Sequence, residues 1–380
     1  MKLSRRHWLA RAGALSSLGV SGPWHALAAA VVAPTPPLGP LGAPDVHGVR
    51  VAQGFRARLL ATSGRRVDGT DHPWHAAPDG GATFAHPDGG WVYVSNAEVV
   101  DGGGGAGALR FDRSGAVVGA YTILSGTHRN CAGGPTPWGT WLSCEEVEEG
   151  LVYECDPARP GQGLARPLLG TFMHEAAAVD PASGFVYLTE DAMDSRLYRF
   201  RPERRGDLSA GVLEAAGVQP DGRLAWRHAA SSGPCRAPET TAFARAEGAW
   251  FHAGVLYFTT TADHRVWAYT PATARLTTVY DAAALGARGL LRDPDNLTVH
   301  APSGALLVAE DAGALQVVML IARPDGVALA PLVQFVGHDG SEVTGPAFSP
   351  DGTHLYVSSQ RGRDGEHGMT FEITGPFASP

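Results

Sequence analysis

The chain has 380 residues, 44% hydrophobic and 18% charged, too apolar for a disordered chain and enough for one large domain or two ordinary ones. The formal net charge is −8 and Lys2 is the only lysine, so nucleic acid is not an expected partner, and past the leader there is no lysine for a Schiff base or a phosphate loop. The 49 glycines and 28 prolines follow no triplet period, which excludes collagen and points to a turn-rich, all-β protein.

The chain begins with Arg5 and Arg6, a weakly apolar stretch through Leu18 and Val20, and the small-x-small sequence Ala26-Leu27-Ala28. This reads as a twin-arginine export signal over residues 1–28, with the twin-arginine translocase as export partner and a periplasmic or secreted destination. The apolar stretch is too short to span a bilayer and no longer one follows, so stable membrane insertion is not expected. Residues 29–45, with five prolines from Pro34 to Pro44, read as a linker.

From there a turn followed by a strand returns six times. The copies are His86–Ser95, Thr136–Ser143, Asp180–Thr189, His252–Thr259, Ala301–Ala309 and Ser349–Ser358. Their turn glycines are Gly90, Gly139, Gly184, Gly254, Gly304 and Gly352, about 45–50 residues apart except for one gap of 70. Short strands at that period are the mark of a propeller blade. The sequence therefore predicts a six-bladed β-propeller, one domain over 46–380, with an insertion at about 203–238 in the long gap. Asp79, Asp88 and Asp351, each in Pro-Asp-Gly, read as turn formers.

Acidic residues recur in phase with the blades. Cys131, Glu175, Glu247, Asp295 and Glu342 stand seven to ten residues before a turn glycine, at the start of each inner strand. After the second strands come Glu98, Glu145 and Glu146, Glu190 and Asp191, Asp263, and Glu310 and Asp311. In a propeller both places lie at the same mouth of the channel. Carboxylates so crowded cannot all ionise without cations. Oxygen-rich sites suit calcium, and the Cys131 thiolate argues for a softer iron or zinc beside it. Glu148, Glu149 and Asp156 read as solvated loop charges, and Cys144 and Cys155 as packed strand residues rather than a disulfide. Arg129 precedes Cys131 by two residues, as Arg245 precedes Glu247, so both guanidiniums are expected near the mouth to hold phosphate or carboxylate oxygens. There is no Gly-x-Ser-x-Gly elbow and no His-Glu-x-x-His, and Gly102–Gly105 has no following lysine.

Arg129–Glu146, Phe172–Ala176, Thr189–Asp191 with Leu197–Phe200, Arg245–Gly248, Asp293–Leu297 and Ala309–Asp311 together resemble, in order, the PhoX family of alkaline phosphatases. The likeness runs over about 80 to 365; the family's Asn-His-Glu after the first blade's strand reads Asn96-Ala97-Glu98 here. The resemblance implies a metal-dependent phosphomonoesterase with iron and calcium at one channel mouth, acting on small phosphate esters as a monomer. It implies Cys131 bridging iron, Glu145 or Glu146, Glu175, Glu247 and Asp295 holding iron or calcium, and Arg245 clamping phosphate. Arg129 is expected as a further phosphate contact, and Glu190, Glu310 and Asp311 as further metal ligands. Two alternatives share this fold: a calcium-dependent esterase or lactonase, and a non-catalytic binding propeller with structural metals.

Overall fold

The computed structural model describes residues 38–161, 163–324 and 326–377. The leader and most of the proline-rich linker lie outside these residues. Six antiparallel sheets of four or five strands follow one another along the chain as the blades of a propeller. Their inner strands are Pro78–Ala85, Asn130–Pro135, His174–Val179, Ala246–His252, Pro294–His300 and Val343–Phe348. Each pairs with the strand that follows it, the turn glycines lying between the two. The ring is closed by the N-terminal part of the chain. Arg56–Thr62 pairs with Met369–Thr374 as the outer strand of the sixth blade, and Val49–Val51 adds a fifth strand to the fifth blade.

The segment read as an insertion divides in two. Gly211–Val218 is the third blade's own fourth strand, while Leu224–His228 is an added fifth, leading into residues 229–243. No helix among the described residues is long and apolar enough to cross a membrane.

Both faces of each blade are covered, which is why the second strands read as continuous apolar runs rather than alternating ones. In Trp91–Ala97, Tyr93 packs with Tyr356 of the sixth blade, while Val92 and Val94 pack with Trp141 of the second. Six apolar clusters result, one in each inter-blade gap.

The inner strands carry small residues because they nearly touch around the axis. A Cβ on Gly134 would lie 1.6 Å from the Ala177 carbonyl oxygen of the next blade, and one on Gly345 would lie 2.4 Å from the Asp79 carbonyl. Below the mouth the inner strands of all six blades leave only a small cavity, lined by residues such as Gly80, Gly133, Ala176, Gly248, Asn296 and Gly345.

Candidate metal centre

Each of the six inner strands carries a β-bulge within its first five residues, where two residues oppose one on the partner strand. A bulge re-aims a side chain. It takes in Asp79, Cys131, Glu175, Glu247 and Asp295 in blades one to five and follows Thr344 in blade six, and these are the inner-strand residues nearest the mouth. Four of the residues two positions earlier, Ala77, Arg129, Arg245 and Asp293, have φ between 41° and 53°. A left-handed kink at a residue with a side chain is strained, and it recurs at one place in four blades.

The second strands contribute a second tier. The register sets Ala97, Glu145, Glu190, Thr260, Glu310 and Ser359 opposite the start of the inner strands. The residues after them, Glu98, Glu146, Asp191, Thr261, Asp311 and Gln360, stand at the mouth. Successive strand residues face opposite ways, so an acidic pair sends only one member inward.

Three overlapping donor sets form, in each of which the ligand atoms lie within 4.8 Å of one another: Asp79, Glu98 and Cys131; Cys131, Glu146 and Glu175; Glu175, Glu247 and Asp295. Neighbouring sets share Cys131 or Glu175. The Cys131 thiol donates to Glu175 Oε1 at 3.3 Å, while Glu175 Oε2 is buried without a hydrogen-bond partner. Gln360 of the sixth blade donates to Asp79 and Glu98, each at 2.6 Å. Burial, reinforced by neighbouring carboxylates, raises Asp79, Glu175, Glu247, Asp295 and Glu342 well above the ordinary carboxyl range. Burial and Glu98 push Glu146 up to about 10. Burial, then Asp79 and Glu175, raise the Cys131 thiol. A bound cation reverses this preference by favouring the ionised forms. The donors fit metal: they are buried, crowded and anionic when ionised, and one oxygen has no other partner.

Two guanidiniums cross the mouth. Arg129 contacts Glu98 at 2.5 Å and Glu146 at 2.9 Å. Arg245 reaches Asp191 and Glu247, each at 2.8 Å, and Asp311 at 3.6 Å. Its 2.8 Å approach to Glu247 Oε1 is an ion pair without hydrogen-bond alignment, since that oxygen has no hydrogen-bond partner. Both side chains remain about a third exposed, open to an incoming anion.

Of the residues expected from the sequence, the structure brings Cys131, Glu146, Glu175, Glu247 and Asp295 together, with Arg129 and Arg245 above them. It does not bring in Glu145, Glu190 and Glu310. Glu145 accepts from the backbone N–H of His128 and Leu151, Glu310 from those of Arg292 and Gln316, and Glu190 from Arg196 N and the Arg236 guanidinium. Their carboxylates secure the loops outside the mouth. Asp311 stands on the rim beside Arg245, outside the donor sets. Asp263 is bound to Thr260 and Arg265, and Thr261 occupies its blade's place at the mouth. Glu342 precedes the ring position by two residues, and Thr344 takes that position, donating to the Pro78 carbonyl at 2.7 Å.

Asp79 corrects the sequence reading. Far from forming a turn, it is fully buried in the first donor set. The signal was the Pro-Asp it shares with Pro294-Asp295, already placed in the ring. Asn96 braces the first blade against the second, donating to the Cys131 and Ala132 carbonyls and accepting from Trp141 and Ser143. All four cysteines are free. Cys144 lies 13 residues after Cys131 and packs between the second and third blades.

The profile of the family described as Alkaline phosphatase PhoX matches residues 102–150 and 147–362. No curated protein matches the sequence significantly. Among solved structures, Pseudomonas fluorescens PhoX in complex with vanadate, a transition state analogue, superposes with a TM-score of 0.71 at 16% identity, covering 90% of this chain and 100% of that one. A Xanthomonas campestris gluconolactonase superposes at 0.49 and 14% identity, over 89% and 98% of the two chains. A glucose dehydrogenase superposes at 0.50 and 13%, over 84% and 100%. With the profile running through the blades that carry Cys131, Glu175, Glu247 and Asp295, the chain belongs to the PhoX family of alkaline phosphatases.

Proposed function

We propose that the protein is a metal-dependent phosphomonoesterase that hydrolyses small phosphate esters at the channel mouth. The observation that carries this reading is the chain of three donor sets, linked through Cys131 and Glu175, beneath Arg129 and Arg245. The thiol of the first two sets suits iron, and the all-carboxylate third set suits calcium. Bound there, such ions would supply Lewis-acid stabilisation of the phosphoryl oxygens and a nucleophilic oxygen at moderate pH.

The chain's own residues do the rest. Asp191 and Glu247 hold the Arg245 guanidinium over the mouth, so its remaining N–H groups can meet an anionic oxygen in a fixed orientation. Glu98 and Glu146 hold Arg129 in the same way from the first and second blades. Donors fixed in advance on a charged oxygen act in the transition state without reorganisation, which is the larger part of phosphoryl-transfer catalysis. The leader supports export through the twin-arginine translocase to the periplasm or beyond.

The test is elemental analysis of protein purified from the native periplasm, with turnover measured on panels of phosphate monoesters and lactones. Iron and calcium are expected with monoesterase activity. Arg245→Gln is expected to retain the metals and lose about 10²–10³ in kcat/KM. Full activity in metal-free protein would sink the proposal, and lactone turnover alone would favour the calcium-esterase reading.

A further inference from the structure

Beside the metal centre, between the second and third blades, lies a cleft of about 730 Å³, within the range of small-molecule sites. Leu151, Phe172, Met173 and Ala192 form its base, Ser232–Pro234 one wall, and Glu148 and Glu149 its rim. Two lining residues also hold the mouth: the Met173 carbonyl accepts from Asp191 N at 3.1 Å, and the Ala192 carbonyl from Arg245 N at 2.9 Å. The cleft thus shares its backbone with the guanidinium assigned to phosphate.

The wall comes from the segment that follows the third blade's added strand, and it is fastened at several points. Gly233 N donates to Thr171 Oγ1 at 2.8 Å, and Cys235 N donates to the Tyr198 hydroxyl at 2.9 Å. Arg236 pairs with Glu190 at 2.6 Å and Asp194 at 2.8 Å. Beneath, Phe172 stacks on Tyr198 with ring centroids 4.2 Å apart. The cleft is therefore formed before any ligand arrives. Its charge is one-sided. Arg236 is already paired with two carboxylates, whereas Glu148 and Glu149 are exposed and have no ion-pair partner among the described residues.

We infer that this cleft receives the organic leaving group of the phosphate ester, and that it selects uncharged aromatic or apolar groups over anionic ones. The inference rests on the phosphomonoesterase reading and adds a substrate class to it. Met173, Leu151 and Pro234, backed by the buried Phe172, give apolar contact to a ring, while Glu148 and Glu149 repel a second negative charge. Contact with the leaving group fixes the ester's orientation relative to Arg245.

The test uses the full-length, metal-loaded protein and three non-hydrolysable probes, measured by titration calorimetry. Methylphosphonate reports the phosphate site alone, benzylphosphonate adds a ring, and phosphonoacetate adds a charge. Benzylphosphonate is expected to bind about 10–100-fold tighter than methylphosphonate, from burial of a ring face. Phosphonoacetate is expected to bind no tighter than methylphosphonate. Met173→Ser should shrink the benzyl-to-methyl ratio, and Glu148→Gln with Glu149→Gln should raise the phosphonoacetate-to-methyl ratio severalfold. A benzyl-to-methyl ratio near one in the unaltered protein, with methylphosphonate bound, overturns the cleft assignment and leaves the phosphatase reading standing. Failure of methylphosphonate itself to bind overturns both.

Discussion

Replacing Glu175 with glutamine separates a metal ligand from a structural carboxylate by the sign of its effect. The Glu175, Glu247 and Asp295 donor atoms lie within 4.8 Å of one another. At an effective dielectric constant near 20, each ionised pair at that distance repels by about 3.5 kcal/mol or more. The folded, metal-free protein avoids this by protonation, which for a carboxyl of ordinary pKa 4.5 costs at most about 5 kcal/mol at pH 8. Glu175→Gln removes that cost while keeping the shape, so the chelated variant should be more stable than the chelated parent at pH 8. The melting temperature should rise by several degrees, at roughly 2 °C per kcal/mol for a chain of this size. With metal bound the sign reverses. Glu175 belongs to two donor sets, and a hundredfold loss of affinity at each lowers the linked stabilisation by about 5.4 kcal/mol in all, enough to outweigh the gain, so the melting temperature falls. The pH dependence follows from the raised carboxyl pKa. The folded metal-free protein binds more protons than the unfolded chain above about pH 4.5, so its stability falls as pH rises, and the gain from Glu175→Gln should shrink toward nothing near pH 5. Calorimetric melts with chelator and with added iron and calcium, at pH 5 and pH 8, provide the comparison. Destabilisation by Glu175→Gln to the same extent with and without metal would refute the reasoning.

Other outcomes are expected. Cys131→Ser should lose bound iron and phosphatase activity while keeping its β-sheet circular dichroism, whereas Cys144→Ala should keep both the metal and the activity. It should lose only packing, about 1–2 kcal/mol in urea unfolding; wild-type iron content in Cys131→Ser would remove the thiolate from the assignment. Gly134→Ala, with its Cβ driven onto the Ala177 carbonyl, should lose at least about 3 kcal/mol or fail to yield soluble protein. Arg5→Lys with Arg6→Lys should leave precursor in the cytoplasm on fractionation, and normal periplasmic amounts would refute the leader reading.

Much of this architecture is written along the chain because a propeller is a repeat. A blade cannot bury both of its faces alone, so each copy keeps the same turn glycine and apolar run, and their phase places the channel mouth. Cys131, Glu175, Glu247 and Asp295 were legible from that phase, because each stands at a fixed place on an inner strand. Three things were not. Asp79 carries the local signature of a turn, and only the bulge in its strand aims it into the centre. Glu145, Glu190 and Glu310 are as acidic as the residues after them, but strand alternation turns them away from the mouth, toward loop N–H groups and, for Glu190, the Arg236 guanidinium. The closure of the sixth blade by Arg56–Thr62 and the wall made by Ser232–Pro234 depend on contacts between distant parts of the chain. A periodic sequence reports what recurs in every blade. What differs between blades, which side chain a bulge turns inward and which segment crosses to a neighbour, is decided only when the six sheets pack around a common axis.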